Sequence, residues 1–185
     1  KQANTYKIRK HILAKINKAK NNMPSKLKSI EEMAEISEKL RAKGKKIVTT
    51  NGSFDILHPA HINLLEKAKS LGDVLIILLN SDFSIKRFKG ETRPILSESE
   101  RAVMLSALES VNYVVLFKDT PIKSLEMIRP DLHVKGGSFI LERIKQEKEL
   151  LETWKGELKQ FPLEGGYSTT SIIDKIIKSY LDNIK

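Results

Sequence analysis

The run Val74-Leu75-Ile76-Ile77-Leu78-Leu79 limits the fold more than any other stretch of the chain. It has no polar face, so a strand built from it must be covered on both sides, as in a parallel sheet flanked by helices. The neighbouring segments supply the cover. Ser29, with Glu32 three residues on, is a capping-box pattern, and Ile30, Met33, Ile36 and Leu40 give the ensuing helix a buried face that Gly44 ends. Lys46–Thr50 reads as a first strand. His61–Ser70 reads as a helix with Leu64, Leu65 and Ala68 inward, stopped at Gly72, and Asp73–Leu79 is the next strand. Beyond it the periodicity predicts a helix over 100–110, a strand over 111–117, a helix over 121–129, a strand over 132–134, a helix over 140–154 and a last strand over 158–163. The closing helix, 169–180, is expected to bury Ile172, Ile173, Ile176 and Ile177. Strands separated by helices predict a single α/β domain with a doubly wound parallel sheet, spanning residues 27–185.

Charge separates this body from what precedes it. The net charge is +10, from 33 Lys and Arg against 23 Asp and Glu. Residues 1–26 hold eight of the basic residues and none of the acidic ones, so the remainder carries only +2. Within 1–26, Ile8, Ile12, Leu13 and Ile16 recur at helical spacing between lysines, which predicts a basic amphipathic helical extension broken by Asn21-Asn22-Met23-Pro24-Ser25. It has three readings: a helix docked on the body or a sister subunit, a binder of an anionic surface, or an unstructured tail. Because the basicity is confined there, nucleic acid is not expected as a partner of the body. There is no cysteine, no apolar run of membrane-spanning length and no secretory signal pattern, which together suit a cytoplasmic protein. The first residue is Lys1 rather than Met, as in a trimmed or processed chain.

Chemistry concentrates in Asn51-Gly52-Ser53-Phe54-Asp55-Ile56-Leu57-His58-Pro59-Ala60-His61. The stretch follows the first strand and opens a helix. Gly52 lets backbone amides approach a phosphate. Pro59 suits the first helical turn, where its missing N–H costs nothing. His58 and His61 are three apart and project from one face at the helix N-terminus, where the dipole and free N–H groups favour anions. Two imidazoles at such a place can stabilise charge building on a phosphate. A bare His-x-x-His is more often a solvated helix start or half a metal site; here the preceding Gly-Ser-Phe-Asp and strand favour the phosphate role.

This stretch resembles the Gly-x-Phe-Asp-x-x-His-x-Gly-His motif of the cytidylyltransferase-like nucleotidyltransferases, over roughly residues 27–180. The resemblance implies a Rossmann-like fold. Further segments are similar to the branch that makes ADP-heptose: Asn80-Ser81-Asp82, Lys89-Gly90, Arg93-Pro94-Ile95, Glu100–Leu105, Val134–Gly137 and Gly166–Thr170. That branch transfers AMP from ATP to D-glycero-β-D-manno-heptose 1-phosphate, alone or fused behind a sugar kinase; residues 1–26 are too short for a kinase, so the stand-alone form is expected.

The roles that follow are implied by the resemblance. His58, His61 and Lys89 are catalytic, with Lys89 on a mobile loop over the phosphates. Asn51, Gly52, Ser53 and Phe54 bind nucleotide and Asp55 holds their loop. Lys135, Gly136 and Gly137 border the base, while Ser168, Thr169 and Thr170 cap a helix and hold the β- and γ-phosphates. Asn80, Arg93 and Arg101 meet the sugar phosphate, with a structural ion pair as the equal alternative for Arg101. His11 and His133 read as structural. Mg²⁺ is expected with the nucleotide, although no dedicated metal cage is visible, and a homo-oligomer is the usual assembly. Two departures stand out: Ala60 replaces the motif's glycine, placing a methyl where nucleotide packs, and Ser138 replaces an aspartate. The alternatives are a cytidylyltransferase for glycerol 3-phosphate or a related alcohol phosphate, a catalytically weak nucleotide-binding protein, and a nucleic-acid or membrane module driven by the basic arm.

Overall fold

The computed structural model describes residues 26–137, 141–162 and 165–182. The expectations for the basic arm, His11 and Ser138 fall outside them. The strands are β1 (Leu27–Lys28), β2 (Ile47–Gly52), β3 (Val74–Asn80), β4 (Tyr113–Phe117), β5 (Leu132–Gly136) and β6 (Glu157–Phe161). The helices are α1 (Ile30–Ala42), α2 (Pro59–Lys69), α3 (Asp82–Lys89), α4 (Glu98–Ser106), α5 (Ile122–Ile128), α6 (Leu141–Glu152) and α7 (Thr169–Asp182).

The sheet runs β1-β4-β3-β2-β5-β6 with every pairing parallel. This is the doubly wound Rossmann-like α/β architecture. Chain order reverses between β2 and β5, and in such sheets ligands bind outside the carboxyl ends of the strands at that reversal. β3 lies at the centre and every one of its residues is buried, as its unbroken apolar run requires. Alternate side chains divide between two cores. Val48, Leu75, Ile77 and Leu79 pack with Leu64 and Leu65 of α2 and Ala102 and Leu105 of α4. Ile47, Ile76 and Leu78 pack on the other face with Met33 of α1 and Leu125 and Ile128 of α5.

The capping box at Ser29 and Glu32 is formed, and Ser97 with Glu100 makes a second one at α4. Three features depart from the sequence reading. β1, two residues on the sheet edge, is too short to carry a pattern. α3 occupies a stretch to which the sequence reading assigned no element; Ser81 caps it by accepting from the Ser84 amide at 3.2 Å, but only Ser84 and Ile85 of the helix are buried, so its apolar periodicity is faint. The closing helix α7 does not bury its isoleucines: Ile172 and Ile173 are half-buried, whereas Ile176 and Ile177 are 47% and 51% exposed. α7 is tied to the body at its first turn, and beyond it the described residues do not cover its apolar face. Among the described residues no helix is long and apolar enough to cross a membrane.

Candidate active site

The β2–α2 connection is built around two non-glycine residues in the left-handed region, Phe54 at φ 48° and Ile56 at φ 52°. Such conformations are costly and persist only where the surroundings hold them. Phe54 is held by burial, its side chain only 3% exposed. Gly52 packs against the same ring: a Cβ there would lie 3.0 Å from Phe54, so the ring would have to shift. Asp55 is the other clamp. Its fully buried carboxylate accepts from the Ile95 and Leu96 amides at 3.0–3.1 Å and pairs with the Arg93 guanidinium at 2.7 Å. The loop-holding role expected of Asp55 therefore has a definite form: it fastens the β2–α2 loop to the segment entering α4.

His58 is the N-cap residue of α2 and makes no side-chain capping bond, which leaves its imidazole for other work. The His58 and His61 rings stack with centroids 3.7 Å apart, and Phe54 lies 5.2 Å from His61. The Nδ1 atoms of both histidines are buried with no hydrogen-bond partner among the described residues, as is Nε of Arg93. Unpaired buried nitrogens are expensive unless a ligand meets them. Burial pushes His61 down to about 4, helped by His58 and the Lys89 ammonium and opposed by Asp55, and burial also lowers His58. Burial thus favours the neutral form of both rings. Lys89 is lowered by burial first and by Arg93 next.

Two cavities meet at His61 and Lys89. The first, about 490 Å³, is lined by His58, His61, Lys89, Arg93, Tyr167, Ser168, Thr169 and Thr170. Its cations, imidazoles and two helix N-termini make it suited to a polyanion. The second, about 500 Å³, opens at the strand-order reversal; Asn51, Gly52, Ser53, Phe54, Asn80, Phe88 and Gly136 belong to its wall. Lys89 reaches both cavities from the last residue of α3, not from the loop the sequence suggested. At α7, Ser168 Oγ accepts from the Ser171 amide at 3.0 Å and Thr169 donates to the Asp55 carbonyl at 2.6 Å, so this turn is fastened to the β2–α2 loop.

Not every expected site residue faces a cavity. Arg101 is fully buried and committed: Nε donates to the Leu96 carbonyl at 3.0 Å, one terminal nitrogen to the Ser53 and Asn80 carbonyls at 2.6 and 2.9 Å, and the other to Asp82 at 2.7 Å. The substrate-contact expectation is corrected to a structural one, the alternative its sequence context left open. Lys135 is also buried, with its ammonium at 2.7 Å from Asn51 Oδ1 and 2.8 Å from Glu147, so it stands behind Asn51 instead of against a base. Gly136 lines the second cavity, whereas Gly137, at φ 100°, lines neither. Asn80 sits on the second cavity's wall while its Nδ2 donates to Ser84 Oγ at 3.1 Å. Ala60 lines neither chamber; its buried methyl borders a small cavity with Asn63, Leu64, Lys67, Phe161 and Pro162.

His133 is fully buried and structural as expected, bonded to Thr49 Oγ1 at 2.7 Å. Sequence reasoning missed Glu147. The signal was present: on α6 it shares the buried stripe of Ile144 and Leu151, an unusual place for a carboxylate. Among the described residues no three His, Asp or Glu gather as a metal site, and Asp55 is already engaged.

Comparison with known proteins agrees with this geometry. The cytidylyltransferase-like family model matches residues 49–176, which holds the end of β2, the histidine pair and the start of α7. The chain belongs to the cytidylyltransferase-like family of nucleotidyltransferases. It is 46% identical over 157 residues to the bifunctional protein HldE of Geobacter metallireducens, covering 84% of this chain and 32% of that protein. It is 43% identical over 175 residues to HldE of Helicobacter pylori, covering 86% of this chain and 37% of that one. The chain thus spans about a third of the length of these curated relatives. Among solved structures, a lipopolysaccharide core biosynthesis protein from Thermoplasma volcanium is 27% identical with a TM-score of 0.55, covering 68% of this chain and all of that one. Pantoate-beta-alanine ligase from Francisella tularensis, 18% identical with a TM-score of 0.56 over 75% of this chain and 67% of its own, shares the fold.

Proposed function

We propose that the chain transfers AMP from ATP to a sugar 1-phosphate, D-glycero-β-D-manno-heptose 1-phosphate, giving ADP-heptose and pyrophosphate. The observation that carries the reading is the meeting of two cavities at His61 and Lys89, one of them cationic and walled by helix N-termini. The polyphosphate occupies the first cavity against His58, His61, Arg93 and the 168–170 turn. A phosphate oxygen of the acceptor attacks the α-phosphorus. The new bond joins that oxygen to the α-phosphorus, the bond to the β-phosphate oxygen breaks, and its electron pair leaves with pyrophosphate. No covalent enzyme intermediate is needed; positioning and charge stabilisation supply the catalysis. Neutral imidazole N–H groups and the Lys89 ammonium face the charge that accumulates. Mg²⁺ would supply neutralisation of phosphate charge if it bound with the nucleotide; among the described residues no cluster of side chains would hold it.

Similarity to the HldE proteins and to the heptose branch's later segments supports the choice of acceptor and of ATP. The test is pyrophosphate release with ATP or CTP and with the heptose 1-phosphate or glycerol 3-phosphate, with His61→Ala as control. Turnover with ATP and the heptose phosphate, abolished in the variant, is expected. Turnover restricted to CTP and glycerol 3-phosphate would overturn the substrates, and turnover unchanged in His61→Ala would overturn the site.

A further inference from the structure

Thr49 and His133 are register partners across β2 and β5. Side chains two residues apart on a strand share a face, so Thr49, Asn51, His133 and Lys135 all project to one side of the sheet at its strand-order reversal. There α6 lays Glu147 over them, and the contacts fix every orientation. Lys135 Nζ lies 2.7 Å from the Asn51 side chain and 2.8 Å from Glu147 Oε1. An ammonium only donates, so the Asn51 atom it meets is the oxygen. His133 Nε2 lies 3.3 Å from the same oxygen, and the tautomer protonated at Nε2 makes this contact a hydrogen bond. Burial, with the Lys135 charge adding to it, drives His133 well below its usual range, so the ring is neutral and has one N–H. Its bare Nδ1 then accepts from the Thr49 hydroxyl at 2.7 Å. Lys135 and His133 thus occupy the Asn51 oxygen, which leaves the amide nitrogen to donate elsewhere. Asn51 is half-buried and lines the second cavity beside Gly52 and Gly136.

We infer that Glu147 is a positioning residue that, through Lys135, locks the Asn51 amide N–H toward an oxygen of the bound nucleotide. The inference rests on the nucleotide reading above. It gives Glu147 a role distinct from filling space: it anchors a buried ammonium whose contact with Asn51 sets the direction of a ligand donor. A neutral donor at the carboxyl end of β2, next to the loop that approaches phosphate, suits a hydroxyl or phosphate oxygen.

The test is ATP affinity by titration calorimetry on the full chain, for wild type, Asn51→Ala, Glu147→Gln and their double variant, each with its melting temperature. Asn51→Ala and Glu147→Gln should each weaken ATP by about tenfold, the equivalent of roughly 1.4 kcal/mol. The double variant should be no weaker than Asn51→Ala, because both remove one donor. Should Glu147→Gln fold poorly, Lys135→Met/Glu147→Leu replaces the buried pair by apolar groups of similar volume; it too should bind ATP several-fold more weakly. A lower melting temperature with unchanged ATP affinity would overturn the inference, as would additive losses in the double variant. Unchanged ATP affinity with a raised KM for the sugar phosphate would overturn the assignment to nucleotide. Wild type that binds ATP but releases no pyrophosphate with any acceptor would sink the reaction reading alone; wild type that binds no nucleotide would sink both.

Discussion

Replacing Arg101 by methionine separates a structural guanidinium from a substrate ligand. The side chain is fully buried and donates to the carbonyls of Leu96, Ser53 and Asn80 and to the carboxylate of Asp82. Methionine fills similar space and donates nothing. Hydrogen bonds from a charged donor contribute ~1.5–3 kcal/mol each, but removing the buried charge also removes its desolvation cost. Asp82 is partly exposed and rehydrates, so three orphaned carbonyls dominate the balance. The net loss should be ~3–5 kcal/mol, from about 1–3 kcal/mol for each orphaned carbonyl less the desolvation cost that goes with the charge. In a chain of this size that lowers the melting temperature by roughly 6–20 °C, at about 2–4 °C per kcal/mol. Urea unfolding measures the free energy, and steady-state kinetics on the folded fraction measures KM for each substrate. The acceptor KM should not change selectively, because Arg101 reaches neither cavity. A loss under 1 kcal/mol with a hundredfold rise in acceptor KM would refute the reasoning and return Arg101 to the substrate.

Three further outcomes follow from the same geometry. Ala60→Gly should cost ~1 kcal/mol of stability through helix propensity and the lost buried methyl, and leave ATP affinity within about twofold because Ala60 lines neither chamber; calorimetry showing tenfold tighter ATP would contradict this. His61 titrates near 4 in the folded protein against an ordinary 6.5, so the unfolded chain takes up its proton first as pH falls. Its contribution to stability is complete above pH 6.5 and lost between there and 4, at up to ~1.4 kcal/mol per pH unit; denaturation from pH 7 to 4 should show a shallower decline in His61→Gln, and an unchanged slope would place the ring in solvent. Thr169→Val deletes the donor to the Asp55 carbonyl; it should cost ~1 kcal/mol and raise the nucleotide KM several-fold, and a rise in the acceptor KM alone would show that this turn does not hold the nucleotide.

The sheet was legible because its central strand β3 is buried along its whole length, and so unbroken an apolar run calls for cover on both faces. Pro59 with His58 before it marked the start of α2, and both capped starts at Ser29 and Ser168 were readable from short-range chemistry. What escaped depended on contacts between distant segments. α3 buries so little that its periodicity does not stand out. The isoleucines of α7 have the right spacing for burial, but spacing cannot say whether anything lies opposite. The resemblance put Lys135 beside the base and left Arg101 evenly between the sugar phosphate and a structural ion pair. Only the fold brings Asp82 and three carbonyls to one and Glu147 with Asn51 to the other.

Attack at the α-phosphorus is the central claim, and the fate of isotopic label decides it. The full chain is incubated with the heptose 1-phosphate and ATP carrying ³²P at either the α or the γ position, and products are separated. The account predicts that α-label enters the sugar nucleotide and that γ-label appears in pyrophosphate, both lost in His61→Ala. Transfer of γ-label to the sugar phosphate, with ADP as the other product, would contradict it.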